Sequence, residues 1–197
     1  NNPRTILDED TLTELDALKE QYGAQSDEYS AALVNAQYAQ WRTKAIADGY
    51  EPGSTFKALV VAAALEEGVV NLNSTFYCGG VATYGGWSIH CHKLTGHGSQ
   101  TLTEALENSC NVALMDIGMK LGAAKFWQYM EDYGLMDLTG IDLGGEGGSQ
   151  FIDRDTFVSE IGISSLAVYS FGQTFNITPI QLITAVSACV NGGRLMQ

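Results

Sequence analysis

Basic residues are scarce in this sequence. Ten lysines and arginines stand against 23 aspartates and glutamates, so the formal net charge is −13. Proteins that bind a nucleic-acid backbone need a basic face that releases its counterions, and this composition cannot supply one. We therefore expect no nucleic-acid partner.

Long apolar runs are also missing. The stretch at residues 58–65 is less than half of the ~20 residues that cross a bilayer. However, 45% of the residues are hydrophobic, which is too many for a disordered chain and enough for a real core. The composition predicts one globular domain, or a large part of one.

The sequence has only four cysteines, and two of them bracket a predicted hairpin. Cys78 and Cys91 flank glycine pairs with β-forming residues between them, which predicts a disulfide or a close thiol pair. Two reduced thiols are one alternative. A zinc site that uses His90, Cys91, His92 and His97 is another, but the spacing of a zinc knuckle is absent. We expect no metal and no cofactor.

Helical periodicity dominates the rest, so the fold class is mainly α with a short β-hairpin. The last helix has the clearest signals, with Thr178 as N-cap, Pro179 at the first position and Gln181 as the capping-box residue. Residues 140–148 form a glycine-rich loop. The predicted helices cover about residues 11–22, with Thr11 as a possible N-cap, then 29–47, 54–67, 101–107, 112–121, 123–133 and 178–191.

The first chemical motif is Ser54-Thr55-Phe56-Lys57 at the start of a helix. Side chains three residues apart share one helical face, so Lys57 can reach the Ser54 hydroxyl. A buried, neutral lysine can remove the hydroxyl proton, and the helix N-terminus favours developing negative charge. The alternative is a helix cap followed by an exposed lysine.

The second motif is Ser109-Cys110-Asn111, which interrupts two helical stretches. Residues i and i+2 at such a break can both point into a cleft, where the hydroxyl could relay a proton and the amide could hold a peptide carbonyl. Read alone, it could be only a polar helix break. Both motifs in this order are much less frequent by chance than either one.

Together these motifs resemble the transpeptidase domain of class B penicillin-binding proteins. The hairpin with Cys78, Cys91 and Gly96-His97-Gly98 is similar to clostridial-type cell-division and sporulation members. The resemblance covers residues 35–197, and residues 1–34 are read as an acidic helical segment or insertion. The resemblance is carried by residues 51–57, 109–111, 170–173, 178–182 and 191–193.

The resemblance implies the helical lobe of the serine D,D-transpeptidase/β-lactamase-like fold, whose parent fold is α+β. Ser54 would be the acylated nucleophile, Lys57 its base, and Ser109 and Asn111 the second motif. The substrate would be the D-Ala-D-Ala end of a peptidoglycan stem peptide, and β-lactams would acylate the same serine. The parent would be membrane-anchored on the extracytoplasmic face of the bacterial cytoplasmic membrane, with cell-wall synthesis proteins as possible partners.

The sequence departs from this family in one respect. The third motif, Lys-Thr-Gly or Lys-Ser-Gly, is absent, and Lys93-Leu94-Thr95-Gly96 has an extra residue and precedes the second motif. We therefore expect a chain truncated before the third motif and inactive alone, because the family draws a second oxyanion donor from that strand. A β-lactam-sensing domain, a β-lactamase or D,D-carboxypeptidase, and a zinc-stabilised structural domain remain alternatives.

Overall fold

The computed structural model describes residues 4–6, 8–160 and 162–196. The chain divides into two compact units, residues 1–44 and 45–197. The predicted boundary after residue 34 lies inside the second helix, and the division into residues 1–34 and 35–197 stays a prediction.

The first unit is built from two helices, α1 (Glu9–Tyr22) and α2 (Asp27–Trp41). The N-cap of α1 is Asp8, whose carboxylate accepts from the backbone N–H of Thr11 at 2.8 Å and from its hydroxyl at 2.6 Å. The expectation that Thr11 caps this helix was therefore wrong. The Asp8 carboxylate accepts from an N–H group of the first turn that has no acceptor within the helix. Thr11, which supplies that N–H group, lies inside the helix.

The remaining helices confirm a mainly α fold. A 3₁₀ turn (Gly53–Phe56) leads directly into α4 (Lys57–Glu66). Two helices, α8 (Arg154–Glu160) and α9 (Ile163–Tyr169), were not expected from the sequence. In chain order the helices are α3 (Lys44–Ala47), α4 (Lys57–Glu66), α5 (Leu102–Glu107), α6 (Asn111–Leu121), α7 (Ala123–Asp132), α8 (Arg154–Glu160), α9 (Ile163–Tyr169) and α10 (Pro179–Val190).

Helices α4 and α6 form the centre of the second unit. They pack on each other, while α6 also packs on α9 and α4 on α10. Both carry apolar residues on most of their surface, as helices at the centre of a core do. A cluster of aromatic rings fills the space beside α4; its members are Phe56, Phe126, Phe157, Tyr169 and Phe175.

Two short antiparallel strand pairs form the β structure. Strands β2 (Val81–Tyr84) and β3 (Trp87–His90) make the predicted hairpin, which is confirmed. Strands β1 (Thr75–Cys78) and β4 (Gly98–Thr101) pair outside it, with Cys78 opposite Gly98. Because β1 packs on α6, the ends of these strands are held beside this central helix.

Two capping boxes form the N-termini of helices α5 and α10, as their sequences predicted. Thr101 and Glu104 begin α5, and Thr178 and Gln181 begin α10, each with reciprocal side-chain to backbone bonds. Gln181 is buried, and its amide also donates to the Asp137 carbonyl at 2.8 Å. This bond ties the start of α10 to the segment that follows α7.

Candidate active site

Ser54 lies on the exposed side of the 3₁₀ turn that precedes α4. The sequence predicted one continuous helix from this residue, but the first turn is tighter, and Gly53 has φ +56°. The early N–H groups of a helix have no acceptor within the helix, and Ser54 occupies this part of the turn. Its hydroxyl is thus accessible next to free backbone donors.

Lys57 begins α4 and points into the protein, with only 1% of its surface exposed. Its Nζ donates to the Ser109 carbonyl at 2.7 Å, the Ser109 hydroxyl at 2.9 Å and Asn111 Oδ1 at 2.6 Å. These acceptors use all three donors of an ammonium group. The alternative of a capped helix with an exposed lysine does not fit this placement.

Burial sets the protonation of Lys57. Desolvation disfavours the charged form and lowers the pKa of the Lys57 ammonium to about 8, although the neighbouring Cys91 and Cys110 act in the opposite direction. Roughly a tenth of such a group is neutral one pH unit below its pKa. A proton-accepting form is therefore populated near neutral pH.

Ser109 joins this lysine to the nucleophile. Its hydroxyl lies 2.9 Å from Ser54 Oγ, and the same oxygen accepts from Lys57 Nζ. Ser109 has φ +49°, a left-handed conformation that costs a non-glycine residue free energy and that clusters at functional sites. Cys110 is the N-cap of α6 and Asn111 its first residue, so the helix start places the motif.

Gly172 supports the turn that carries Ser54. The Gly53 N–H donates to the Gly172 carbonyl at 2.8 Å. A Cβ on Gly172 would lie 2.2 Å from the Gly53 carbonyl oxygen, and its φ is +83°, so both contact and conformation require glycine. On the same loop, the Thr174 N–H donates to the Glu51 carboxylate at 2.9 Å. The sequence marked this glycine only through the family resemblance.

The four residues named from the sequence are thus brought together. Ser54 lies on the 3₁₀ turn, Lys57 begins α4, Ser109 lies in the turn before α6, and Asn111 begins α6. Together they form one hydrogen-bonded group.

A family model described as the penicillin binding protein transpeptidase domain matches residues 15–197. The chain belongs to this family. It is 46% identical over 165 residues to stage V sporulation protein D of Bacillus subtilis, covering 83% of this chain and 24% of the relative. It is 31% identical over 152 residues to a probable peptidoglycan D,D-transpeptidase FtsI of Caulobacter vibrioides, covering 77% of this chain and 25% of the relative. The chain therefore spans about a quarter of the length of these curated relatives.

Solved structures show the same fold. A peptidoglycan glycosyltransferase from Burkholderia ambifaria superposes with a TM-score of 0.73 at 22% identity, over 81% of this chain and 49% of that one. Penicillin binding protein 3 of Mycobacterium tuberculosis, in complex with aztreonam, gives a TM-score of 0.69 at 24% identity, over 79% and 34%. The fold is thus that of penicillin-binding proteins, as the sequence predicted. In the described part of the chain, no helix is long and apolar enough to span a membrane.

In this transpeptidase domain the segment from Lys93 to Gly96 does not form a strand. It is a loop in which Gly96 packs on the backbone of Cys78 and Gly80. The family's third motif lies on a strand, so this loop does not match it.

The structure distinguishes between the two forms predicted for the Cys78–Cys91 pair. Cys78, Cys91 and Cys110 are buried with free thiols, and no disulfide occurs among the described residues. The predicted proximity of Cys78 and Cys91 is confirmed in the form of close thiols. Cys189 lies on α10 and is exposed, although its neighbours on this helix are mostly apolar.

Proposed function

We propose that this chain forms the nucleophile-bearing part of a peptidoglycan D,D-transpeptidase. The observation that carries the proposal is the hydrogen-bonded path from Ser54 through Ser109 to the buried Lys57. A serine is a weak nucleophile until a base takes its proton. The path provides such a base within reach of an accessible hydroxyl.

In the proposed reaction, Ser54 attacks the carbonyl carbon of the penultimate D-alanine of a stem peptide. The Ser54 proton passes to the Ser109 hydroxyl, and the Ser109 proton passes to neutral Lys57, since each hydroxyl can donate and accept. The terminal D-alanine leaves with a proton from the same path. An amine of a second stem peptide then attacks the ester, forms the cross-link and frees Ser54.

Two further groups fit this reaction. The Ser54 backbone N–H is one donor for the oxyanion, and removal of one such donor typically costs about 10²–10³ in rate. Asn111 Oδ1 accepts from Lys57, which leaves its Nδ2 group as a donor for a substrate carbonyl. β-Lactams would acylate Ser54 as mimics of the D-Ala-D-Ala end of the stem peptide.

The location and partners follow from the same proposal. Peptidoglycan is assembled outside the cytoplasmic membrane, so we place the domain on its extracytoplasmic face, in a membrane-anchored parent with cell-wall synthesis partners. The support is the family and the printed names of relatives, a sporulation protein and D,D-transpeptidases.

Product analysis tests the reaction. The complete protein that carries this chain is incubated with a stem peptide ending in D-Ala-D-Ala and an acceptor peptide. A cross-linked dimer supports the transpeptidase. Release of D-alanine without a cross-linked dimer would identify a D,D-carboxypeptidase. Turnover of a β-lactam would identify a β-lactamase. A stable β-lactam adduct without reaction of either peptide would make it a sensor.

A further inference from the structure

An open groove lies between the β2–β3 hairpin and helix α9. Residues Trp87, Ser88 and Ile89 of β3 line one side, and residues of α9 line the other. The volume of the groove is about 290 Å³, which is close to the lower limit of about 300 Å³ for small-molecule sites. The groove is therefore large enough for a ligand group of the size of a sugar ring.

Trp87 is very exposed for a residue of its size. Solvent reaches 71% of its surface, although aromatic side chains contribute most when they are buried. The residue follows the Gly85-Gly86 turn of the hairpin, and this turn lies against the start of α9. A Cβ on Gly85 would lie 3.4 Å from the backbone nitrogen of Ser164. The contact with α9 thus supports the turn beside the groove that Trp87 lines.

The groove combines apolar surface with hydroxyl groups. Its apolar surface comes from the Trp87 ring and from aliphatic side chains on both sides, Ile89 and Val168. Its hydroxyls belong to Ser88, Ser164, Ser165 and Thr174. Each hydroxyl can both donate and accept a hydrogen bond. In the described part of the chain, no charged side chain lines the groove, so this lining favours an uncharged ligand with an apolar face.

Thr174 connects the groove to the active site. It lines the groove, and its backbone N–H donates to the carboxylate of Glu51, three residues before Ser54. Thr174 has φ +70° and Ser109 has φ +49°, and in the described part of the chain only these two residues other than glycine have positive φ. Strained backbone of this kind clusters at functional sites. One such residue belongs to the catalytic group, and the other borders the groove.

We propose that this groove binds the glycan strand of peptidoglycan next to the stem peptide that Ser54 attacks. The choice of ligand rests on the proposed function, which makes peptidoglycan the substrate of this domain. A sugar ring has an apolar C–H face, and the negative face of an aromatic ring attracts such C–H groups. Trp87 would stack on one ring of the strand. The serine and threonine hydroxyls would bind the hydroxyl and acetamido groups at its edge.

The absence of charge distinguishes the glycan from the peptide part of the substrate. A stem peptide carries carboxylates, and proteins commonly bind carboxylates with arginine or lysine. The described lining of the groove has neither residue, and the net charge of −13 adds repulsion. The N-acetylated sugars of the strand are uncharged and rich in hydroxyl groups. The groove therefore matches the glycan better than it matches the peptide.

A glycan site beside the catalytic serine would favour substrates that belong to a strand. A free stem peptide makes only the contacts of the active site, whereas a peptide attached to a strand contacts the groove as well. The second contact forms within one complex and so adds affinity without a second binding event from solution. The domain would then bind the polymer in preference to free peptides.

A sugar probe without a stem peptide tests the site directly. Chitotetraose, an uncharged oligomer of N-acetylglucosamine, is titrated into the complete protein and followed by calorimetry and saturation-transfer NMR. Saturable binding that a free stem peptide does not displace would support the proposal. Absence of chitotetraose binding would overturn it, and so would displacement by the stem peptide, which would make the groove a peptide site.

Variants locate the sugar in the groove. Trp87→Ala should weaken chitotetraose binding about tenfold or more, as loss of a central aromatic contact does, whereas Trp87→Phe should retain most of the affinity. Tyr77→Ala is the matched control, because Tyr77 is 72% exposed and lies on β1 outside the groove. It should bind the sugar like wild type.

Thermal unfolding checks the fold of each variant. If Trp87→Ala does not fold, Ser165→Glu tests the same groove from α9, where Ser165 is exposed. The added carboxylate should also weaken binding about tenfold or more, because it loses solvation against a sugar that cannot neutralise it. Wild-type affinity for chitotetraose in folded Trp87→Ala or Ser165→Glu protein would exclude this groove.

Cross-linking kinetics separate this site from the proposed reaction. The complete protein is given stem peptides that are either free or attached to a glycan strand. Wild type should show the lower KM for the attached peptides, and Trp87→Ala should lose this preference mainly through KM. Equal KM values in wild type would overturn the glycan site and leave Ser54 as the nucleophile. Chitotetraose binding that depends on Trp87, in a protein whose Ser54 is never acylated, would support the site and contradict the proposed function.

Discussion

Among single residues, Ser109 connects the nucleophile to the base. Its hydroxyl contacts both Ser54 and Lys57, and its backbone has φ +49°. A strained conformation persists where the surroundings enforce it. Here the Lys57 bond to the Ser109 carbonyl, at 2.7 Å, and the start of α6 do so.

We expect Ser109→Gly to slow acylation of Ser54 by β-lactam about 10²–10⁴-fold, the usual contribution of a proton-transfer group. Glycine relieves the backbone strain, so stability should hold or rise. The measurement is the rate of labelling by a fluorescent penicillin, with thermal unfolding alongside. Wild-type labelling by a stable Ser109→Gly protein would contradict the relay.

A second residue-scale prediction concerns the charge of Lys57. An arginine keeps the positive charge but cannot lose its proton, with a pKa above ~12, so it cannot act as the base. Lys57→Arg should therefore lower the acylation rate about 10²–10⁴-fold. Lys120→Arg is the matched control, because Lys120 is about half exposed in an ion pair with Asp116. Fast acylation by Lys57→Arg would show that Lys57 only supplies charge.

At the scale of elements, the 3₁₀ turn is held by the loop at Gly172. We expect Gly172→Ala to destabilise the fold by about 1–3 kcal/mol through its positive φ and to slow acylation, because its Cβ would displace the Gly53 carbonyl and the turn that carries Ser54. Gly144→Ala is the control, since a Cβ there meets nothing within 4 Å and Gly144 lacks a positive φ. Equal acylation by both variants would contradict this role.

Local signals predicted some elements well. Thr178, Pro179 and Gln181 define the start of α10 through contacts within one turn, and Gly85-Gly86 closes the β2–β3 hairpin. The outer pair β1–β4 was missed, because Gly98–Thr101 has little β-forming character and is held by pairing with a distant segment. Helices α8 and α9 are short and owe their stability to packing rather than periodicity.

For the molecule as a whole, the sequence predicted that Ser54, Lys57, Ser109 and Asn111 belong to one site. It did not predict the packing that brings them together. Ser54 and Lys57 are three residues apart, so a shared helical face could be inferred. The contact of Lys57 with Ser109 and Asn111 depends on the packing of α4 on α6. The proximity of Cys110 to Cys78 and Cys91 also depends on where the start of α6 packs, so spacing along the chain could not reveal it.

The proposed function depends on acylation of Ser54 at its Oγ atom. The most direct measurement is intact-mass analysis and peptide mapping of the complete protein after reaction with a penicillin, beside its Ser54→Ala variant. We expect one adduct on the peptide that contains Ser54, none in the variant, and the same unfolding temperature for both proteins. An adduct on another residue, or robust labelling of folded Ser54→Ala protein, would contradict it.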